Sequence, residues 1–136
     1  MVRHIVKDTR LLSRVSEPAS EDDRQIIEDL KDTLAANREG CVGMAANMIG
    51  SLKRIIIVAE KDGDLIMINP MITKHIRPYQ TEEGCLSLSG VRPTRRFQKI
   101  RVRFLDEAFR EQEAEFEDFT AQIIQHECDH LEGIVI

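Results

Sequence analysis

The segment Gln125-His126-Glu127-Cys128-Asp129-His130 constrains the fold of this chain more than any other feature. Two histidines four residues apart project from one side of an α-helix, where both imidazoles can bind the same divalent metal ion. Glu127 then stands beside that ion as a candidate general base, an arrangement typical of metal-dependent hydrolases. The motif therefore predicts a helix near the carboxyl end of the chain, with its histidines turned inward.

The angular distribution of side chains on this helix favours metal ligands over chance. With about 100° per residue, Phe119, Ile123, His126 and His130 fall within about 60° of one another on an inward, apolar side. The polar residues gather on a separate arc: Asp118, Gln122, Gln125, Asp129 and Glu132. A solvated surface helix would place the histidines with the acids, and a pair one turn apart is unusual for ordinary core histidines.

Three cysteines are candidates for a third ligand, because a catalytic zinc or iron site takes three protein ligands and leaves one position open for water. Cys128 lies about 180° around the helix from the histidines, so we expect it to fill apolar space. Cys85 lies in a glycine-containing turn after an acidic pair, where a thiolate is well placed to bind metal. Cys41, flanked by glycines, is the competing candidate.

Three ordered motifs resemble the signature motifs of the peptide deformylases. They are Gly43-Met44-Ala45-Ala46-Asn47-Met48-Ile49-Gly50, Glu83-Gly84-Cys85-Leu86-Ser87 and Gln125-His126-Glu127-Cys128-Asp129-His130. The segments 11–12, 17–18 and 68–70 also carry residues similar to those of the family, so the resemblance spans nearly the whole chain. Three motifs in the matching order are far more specific than the histidine motif alone.

The resemblance implies a chemistry for these residues. Cys85, His126 and His130 are implied to bind a ferrous ion, which Zn²⁺ or another divalent metal can replace. Glu127 is implied as the general base that deprotonates water and passes the proton to the leaving amine. The implied activity is hydrolysis of the N-formyl group from the N-terminal formyl-methionine of nascent peptides, with release of formate.

The oxyanion of this reaction is the point at which the chain departs from the family. Members stabilise it with the metal, the backbone amide after the cysteine ligand and a glutamine of the first motif. Leu86 supplies the amide here, but Met48 stands at the glutamine position and cannot donate a hydrogen bond. Loss of one such donor costs roughly 100-fold to 1,000-fold in turnover, so we expect a slow enzyme rather than an inactive one.

Substrate contacts follow from the same resemblance. A hydrophobic pocket for the methionine side chain is expected, lined by Val42 and Ile123 with Gln122 at its rim. Extended peptides commonly bind by adding a strand to a sheet edge, so the backbone around Gly43 and the segment after Cys85 are candidate binding elements.

Two charged groups have competing interpretations. Arg92 or Arg96 is a candidate partner for a peptide carboxylate; alternatively, the basic residues between Arg92 and Arg103 form a solvated strand face. Glu83 is expected to act from behind the ligands, either by fixing a neighbouring arginine or by orienting the metal loop, whereas Glu82 is expected to be solvated. His4 and His75 are expected to be ordinary surface residues.

Other functions stay open on the sequence alone. Met48 motivates a degenerate homologue that binds metal and modified peptide N-termini with little turnover. A deacylase for another small N-acyl group would use the same water chemistry. A zinc endopeptidase is a weaker alternative, because such enzymes usually take their third ligand after the helix, and six residues follow His130.

Length and composition predict a single domain over residues 1–136. The formal net charge of −5 argues against direct nucleic-acid recognition, and no apolar run is long enough for a membrane span. The few cysteines, without framework spacing, favour a reducing cytoplasm. The expected partners are formylated nascent peptide N-termini and, through the resemblance, the ribosome. Family members generally continue further past the third motif, a difference expected to affect partner contacts more than catalysis.

Hydrophobic periodicity predicts an α+β fold, in which antiparallel β-sheets pack around the central C-terminal metal-binding helix. Ser20 and Asp23 predict a capping box for a first helix that ends at Gly40. Strands are predicted over residues 54–58 and 64–68 around a hairpin turn, over 71–76 and over 99–105. The last helix is predicted to begin at Asp118 or Thr120.

Overall fold

The computed structural model describes residues 1–136, and its secondary structure is a mixture of helices and antiparallel strands. The helices are α1 (Thr9–Leu12), α2 (Arg24–Ala36) and α3 (Asp118–Leu131). The strands are β1 (Gly43–Ala45), β2 (Ile55–Glu60), β3 (Gly63–Cys85), β4 (Leu88–Leu105) and β5 (Glu111–Glu117). Short 3-10 helices span Glu21–Asp23 and Ala46–Ile49. None of these helices is long and apolar enough to cross a membrane.

The strands form one sheet in sequence order, β1-β2-β3-β4-β5, with every neighbouring pair antiparallel. The predicted α+β class is therefore confirmed. The predicted hairpin joins β2 to β3, with Glu60 opposite Gly63 across a two-residue turn. The longer hairpin of β3 and β4 ends with Cys85 opposite Leu88. Cys85 consequently lies at a hairpin tip, at the end of a strand rather than within a long loop.

The two longer helices pack against the sheet through separate hydrophobic clusters. Successive side chains of β2 point to opposite faces, as a strand requires. Ile55 and Ile57 belong to the cluster that contains the apolar side of α2. Ile56 and Val58 belong to the cluster that contains the apolar side of α3. Because β2 is buried on both faces, it fixes α3 against the sheet, and α3 carries the two histidines.

Several predicted element boundaries were wrong. The strands predicted over 64–68 and 71–76 both belong to β3, and the strand predicted over 99–105 is the second half of β4. The predicted Ser20–Asp23 capping box is present, but α2 ends at Ala36 instead of continuing to Gly40. The strand predicted to stop before Pro78 continues to Cys85, with Pro78 opposite Phe97. Proline is tolerated there because β2 pairs with β3 only as far as Ile68, so the missing N–H of Pro78 faces a free edge.

Strand β5 was not predicted at all. Its glutamates alternate with Ala114 and Phe116, which is the two-residue period of a strand with one solvated side. It pairs with residues 99–105 of β4 and leads directly into α3. Asp118 makes this turn with φ +53°, a left-handed conformation that aspartate adopts more readily than most residues. Of the two predicted starts of α3, Asp118 and Thr120, the structure has the first.

Candidate metal centre

Three potential ligand atoms converge between the hairpin tip and α3. The Sγ of Cys85 lies 3.4 Å from His130 Nε2, and the two Nε2 atoms of His126 and His130 lie 3.2 Å apart. All three atoms lie within 4.8 Å of one another. The Cys85 sulfur and one nitrogen of each imidazole converge on a common point, and this set of donor atoms suits Fe²⁺ or Zn²⁺ once the groups are deprotonated. The residues therefore fit a divalent transition-metal ion.

The carboxylate of Glu83 fixes the orientation of His126. His126 Nδ1 lies 2.7 Å from Glu83 Oε1, and both side chains are buried. An ionised carboxylate accepts hydrogen bonds, so His126 donates through Nδ1 and directs the lone pair of Nε2 towards the ligand cluster. Burial would raise the pKa of Glu83, but hydrogen bonds from His126, Arg96 and Gln122 outweigh it and lower that pKa to about 2. Glu83 is therefore negatively charged at neutral pH.

Arg96 holds Glu83 in place and connects it to α3. Its Nη2 donates to Glu83 Oε1 at 2.7 Å and its Nε to Oε2 at 3.0 Å, while Nη1 donates to Asp129 Oδ2 at 2.7 Å. Arg96 is only 4% exposed. Both interpretations of Arg96 from the sequence were therefore wrong, because this guanidinium is neither solvated nor free to bind a peptide carboxylate.

Glu127 lies next to the ligand cluster, at the wall of a cavity. It is buried, and its Oε1 accepts no hydrogen bond from the protein. Burial raises the pKa of Glu127 to about 7. A carboxylate with such a pKa can take up a proton and release it near neutral pH, which is the property required of a general base.

A cavity of about 490 Å³ opens beside the cluster. Its lining includes most of the residues singled out in the sequence: Val42, Gly43, Met48, Glu83, Cys85, Leu86, Gln122, Ile123, His126 and Glu127. Met48 is 1% exposed, and its Sδ lies 3.5 Å from the Ala45 backbone nitrogen. The Leu86 N–H donates no hydrogen bond within the protein. The structure thus brings the residues of all three motifs to one cavity.

At Gly43, strand β1 lies close against α3. A Cβ added there would lie 2.6 Å from Ile123 Cγ2 and 3.1 Å from Glu127 Oε2. Only a residue without a side chain permits this approach, which places the backbone of an edge strand directly beside the cavity.

The other two cysteines lie outside the ligand cluster. Cys41 lines the cavity, but its Sγ donates to Gly43 O at 2.9 Å, and burial raises its pKa to about 11. Cys128 packs against the hydrophobic cluster of α3, and burial raises its pKa to about 12. Of the three cysteines, only Cys85 is grouped with both histidines.

Two positions on α3 differ from the angular prediction. Phe119, expected on the inward side, is 60% exposed at the edge of the cavity. Gln125, expected on the solvated polar arc, is buried and exchanges two hydrogen bonds of 2.8 Å with the backbone of Phe97. Since β5 pairs with β4 only from Lys99 onwards, the Phe97 backbone needs this side chain as its partner.

The remaining candidates lie away from the ligand cluster. Arg92 is absent from the cavity wall, and its Nη2 donates to the Ser89 carbonyl at 2.7 Å. His4 is exposed, and His75 is exposed with its ring 3.9 Å from the ring of Phe97. Glu82 is exposed near the cavity mouth.

The roles of Arg96 and Asp129 escaped the sequence analysis, although a signal for Arg96 was present. Ile100, Val102 and Phe104 are the buried positions of β4, and Arg96 has the same two-residue phase. Gln98 has this phase too but is exposed, so the alternation is interrupted between Ile100 and Arg96 and is only a partial signal. No comparable pattern marks Asp129, which lies on the polar arc of its helix.

Comparisons of the sequence with known proteins agree with this geometry. The family model described as Polypeptide deformylase matches residues 2–136. A peptide deformylase of Clostridium beijerinckii is 52% identical over 136 residues, which is 100% of this chain and 100% of that protein. A peptide deformylase of Thermoanaerobacter pseudethanolicus is 40% identical over 111 residues, or 81% of this chain and 69% of that protein.

Solved structures show the same similarity in the fold. The actinonin-bound crystal structure of a class I type b peptide deformylase from Acinetobacter baumannii matches with a TM-score of 0.88 and 31% identity, covering 99% of this chain and 95% of that one. A peptide deformylase from Ehrlichia chaffeensis matches with a TM-score of 0.89 and 30% identity, covering 99% and 86% of the two chains.

Proposed function

Since the chain belongs to the peptide deformylase family, we propose that Cys85, His126, His130 and Glu127 carry the reaction of this enzyme. The reaction is the metal-dependent hydrolysis of the N-formyl group from the N-terminal formyl-methionine of nascent peptides, which releases formate. The observation that supports the residue assignment most directly is the convergence of three ligand atoms within 4.8 Å, beside a cavity that Glu127 also lines.

Identity of 52% to a peptide deformylase over the full length does not favour the other functions that the sequence left open. A degenerate binding protein was motivated by Met48 alone, and a deacylase for another acyl group by the shared water chemistry. We therefore propose that Met48 lowers the rate of deformylation without abolishing the reaction.

The proposed metal is Fe²⁺, with Zn²⁺ or another divalent ion as a substitute. Cys85, His126 and His130 would hold it, and the donor set of one sulfur and two nitrogens supports either ion. When bound, the metal supplies a Lewis acid that lowers the pKa of water and polarises the formyl carbonyl. Glu83 and Arg96 keep His126 in the orientation that this binding needs.

Glu127 is the proposed proton carrier. In its carboxylate form it accepts the proton of the attacking water, and it then donates that proton to the amine nitrogen as the C–N bond breaks. Burial supports both steps, because a pKa of about 7 makes Glu127 a stronger base than an exposed glutamate and a competent acid afterwards.

The negative charge that develops on the formyl oxygen requires hydrogen-bond donors. Leu86 is the proposed backbone donor, and its N–H has no competing acceptor in the protein. Met48 lines the cavity, but its thioether sulfur has no proton to donate, so it shapes the cavity without donating a hydrogen bond to the oxyanion.

The substrate backbone is proposed to lie along β1 at Gly43, an edge strand with one unpaired side. The first side chain of the peptide would then enter the part of the cavity lined by Val42 and Ile123. Arg92 has no supporting contact with the cavity. Ribosome association stays a prediction of the resemblance, as does the cytoplasm, which the three free cysteines support.

Kinetics on a formyl-methionyl peptide, with iron kept reduced, test this assignment. Glu127→Gln should lower kcat by roughly 100-fold to 10,000-fold while the metal content stays at the wild-type level. Glu132→Gln is the matched control, because Glu132 is an exposed carboxylate at the end of the same helix. Retention of wild-type kcat by Glu127→Gln would contradict the role of Glu127, and an inactive wild-type enzyme would contradict the proposed reaction.

A further inference from the structure

The cavity wall carries one side-chain amide, and the proposed reaction does not use it. Gln122 lies on α3 one turn before His126 and is half-buried. It shares the cavity wall with the apolar side chains of Val42, Phe119 and Ile123. Val42 and Phe119 expose 43% and 60% of their surface. This wall therefore combines uncovered apolar area with a single side-chain amide.

The orientation of the Gln122 amide is determined by its neighbour. Gln122 Nε2 lies 2.9 Å from Glu83 Oε2. Because an ionised carboxylate has no proton to donate, the NH₂ group of Gln122 must face it and the carbonyl oxygen must point elsewhere. Glu83 cannot turn away, since Arg96 and His126 hold it by further hydrogen bonds.

The carbonyl oxygen of Gln122 is an unused acceptor. It makes no hydrogen bond within the protein, and it is not among the polar atoms sealed from solvent. An apolar side chain that covers this oxygen would remove its water without replacing the hydrogen bond. A side chain that carries an N–H donor would replace it. For a partly exposed acceptor, the difference amounts to about 10-fold in kcat/KM.

We propose that Gln122 extends the substrate class of this enzyme to N-formyl peptides whose first side chain is unbranched and carries a hydrogen-bond donor. The inference rests on the proposed function, because it names an occupant of the proposed side-chain pocket. Glutamine fits this description, since its chain is about as long as that of methionine and ends in an NH₂ group. The reaction is unchanged: water adds to the formyl carbon, the C–N bond breaks, and formate and a free amine result.

Three formyl tripeptides that differ only in the first residue test the proposal. They begin with methionine, glutamine or norleucine, the last being an unbranched apolar side chain of similar length. The measured quantity is the ratio of kcat/KM for the glutamine peptide to that for the norleucine peptide. We expect Gln122→Leu to lower this ratio about 10-fold relative to the wild-type enzyme. Gln98→Leu, a change at an exposed glutamine outside the cavity wall, should leave the ratio unchanged.

An unchanged ratio in Gln122→Leu would overturn the proposal. So would an equal loss on all three peptides, because it would mean that Gln122 serves only to hold Glu83; metal content measured on the same samples would then fall as well. Gln122→Met gives the same comparison if the leucine variant does not fold. The wild-type enzyme could hydrolyse the formyl-methionine peptide while the ratio stays the same in the variants at position 122. That result would refute this inference and leave the proposed function intact.

Discussion

Replacing Gly43 by alanine should damage the stability of the fold and the position of the general base together. The added Cβ would lie 2.6 Å from Ile123 Cγ2, 3.1 Å from Glu127 Oε2 and 3.2 Å from the Ile57 carbonyl oxygen. Gly43 is not among the glycines with positive φ, so alanine adds no backbone strain at this position. The effect should therefore be steric.

The magnitude follows from these distances. Carbon atoms in contact are normally about 3.5–4.0 Å apart, so Ile123 would have to move by about 1 Å. Overpacking of this kind costs about 1–3 kcal/mol of unfolding free energy. Glu127 would move by a few tenths of an ångström, and since a misplacement of about 1 Å can cost roughly 100-fold in rate, we expect kcat/KM to fall by about 10-fold.

Denaturant unfolding and steady-state kinetics measure the two effects. Gly40→Ala is the control, because a Cβ at position 40 meets nothing within 4 Å and should leave both quantities near the wild-type values. Combining Gly43→Ala with Ile123→Ala removes the clashing methyl group, so a double-mutant cycle should show a favourable coupling of about 1 kcal/mol or more. Equal stability and activity of Gly43→Ala and Gly40→Ala would refute the steric argument.

Three further outcomes follow from the site. Arg96→Met leaves the buried carboxylate of Glu83 without its cation and should cost about 3–5 kcal/mol in denaturant unfolding. Arg101→Met, at a partly exposed pair, should cost at most about 1 kcal/mol; equal costs would contradict the buried network. In the metal-free protein, the pKa of Glu127 rises from 4.5 to about 7 on folding. Glu127 then holds its proton more tightly in the folded than in the unfolded state. As pH rises from 4.5 to 7, ionisation of Glu127 therefore lowers the free energy of unfolding, by about 3 kcal/mol at pH 7. Relative to the wild type, Glu127→Gln should therefore become more stable as pH rises from 4.5 to 7. A difference in melting temperature between the two proteins that does not change with pH would contradict this expectation. Met48→Gln should raise kcat by about 10-fold or more, because the glutamine adds a hydrogen-bond donor to the oxyanion. An unchanged kcat would show that the wild-type site does not lack such a donor.

The ligand set was accessible from the sequence because each of its parts has a local signature. Two histidines four residues apart need only a helix to come together, and the helix has a clear hydrophobic period. Cys85 lies more than forty residues earlier in the chain, and geometry alone did not separate it from Cys41. The resemblance of the motifs made that choice, and the hairpin of β3 and β4 explains it by carrying Cys85 to α3.

Contacts that depend on where neighbouring strands end were harder to predict from the sequence. Gln125 is buried because β5 stops short of Phe97 and leaves backbone groups to be paired, a fact that no helical wheel contains. Phe119 follows the apolar period of α3 but lies beyond the sheet, beside the cavity, and so stays exposed. Arg96 looked like one of many surface arginines because its two acidic partners come from different elements.

We propose that Cys85, and not Cys41, completes the metal site with His126 and His130. Elemental analysis of anaerobically purified protein tests it most directly, with Cys85→Ser and Cys41→Ser as a matched pair of single-atom changes. We predict about one transition-metal ion per chain in the wild type and in Cys41→Ser, and loss of most of that metal in Cys85→Ser. Full metal occupancy in Cys85→Ser, or metal loss confined to Cys41→Ser, would contradict the assignment.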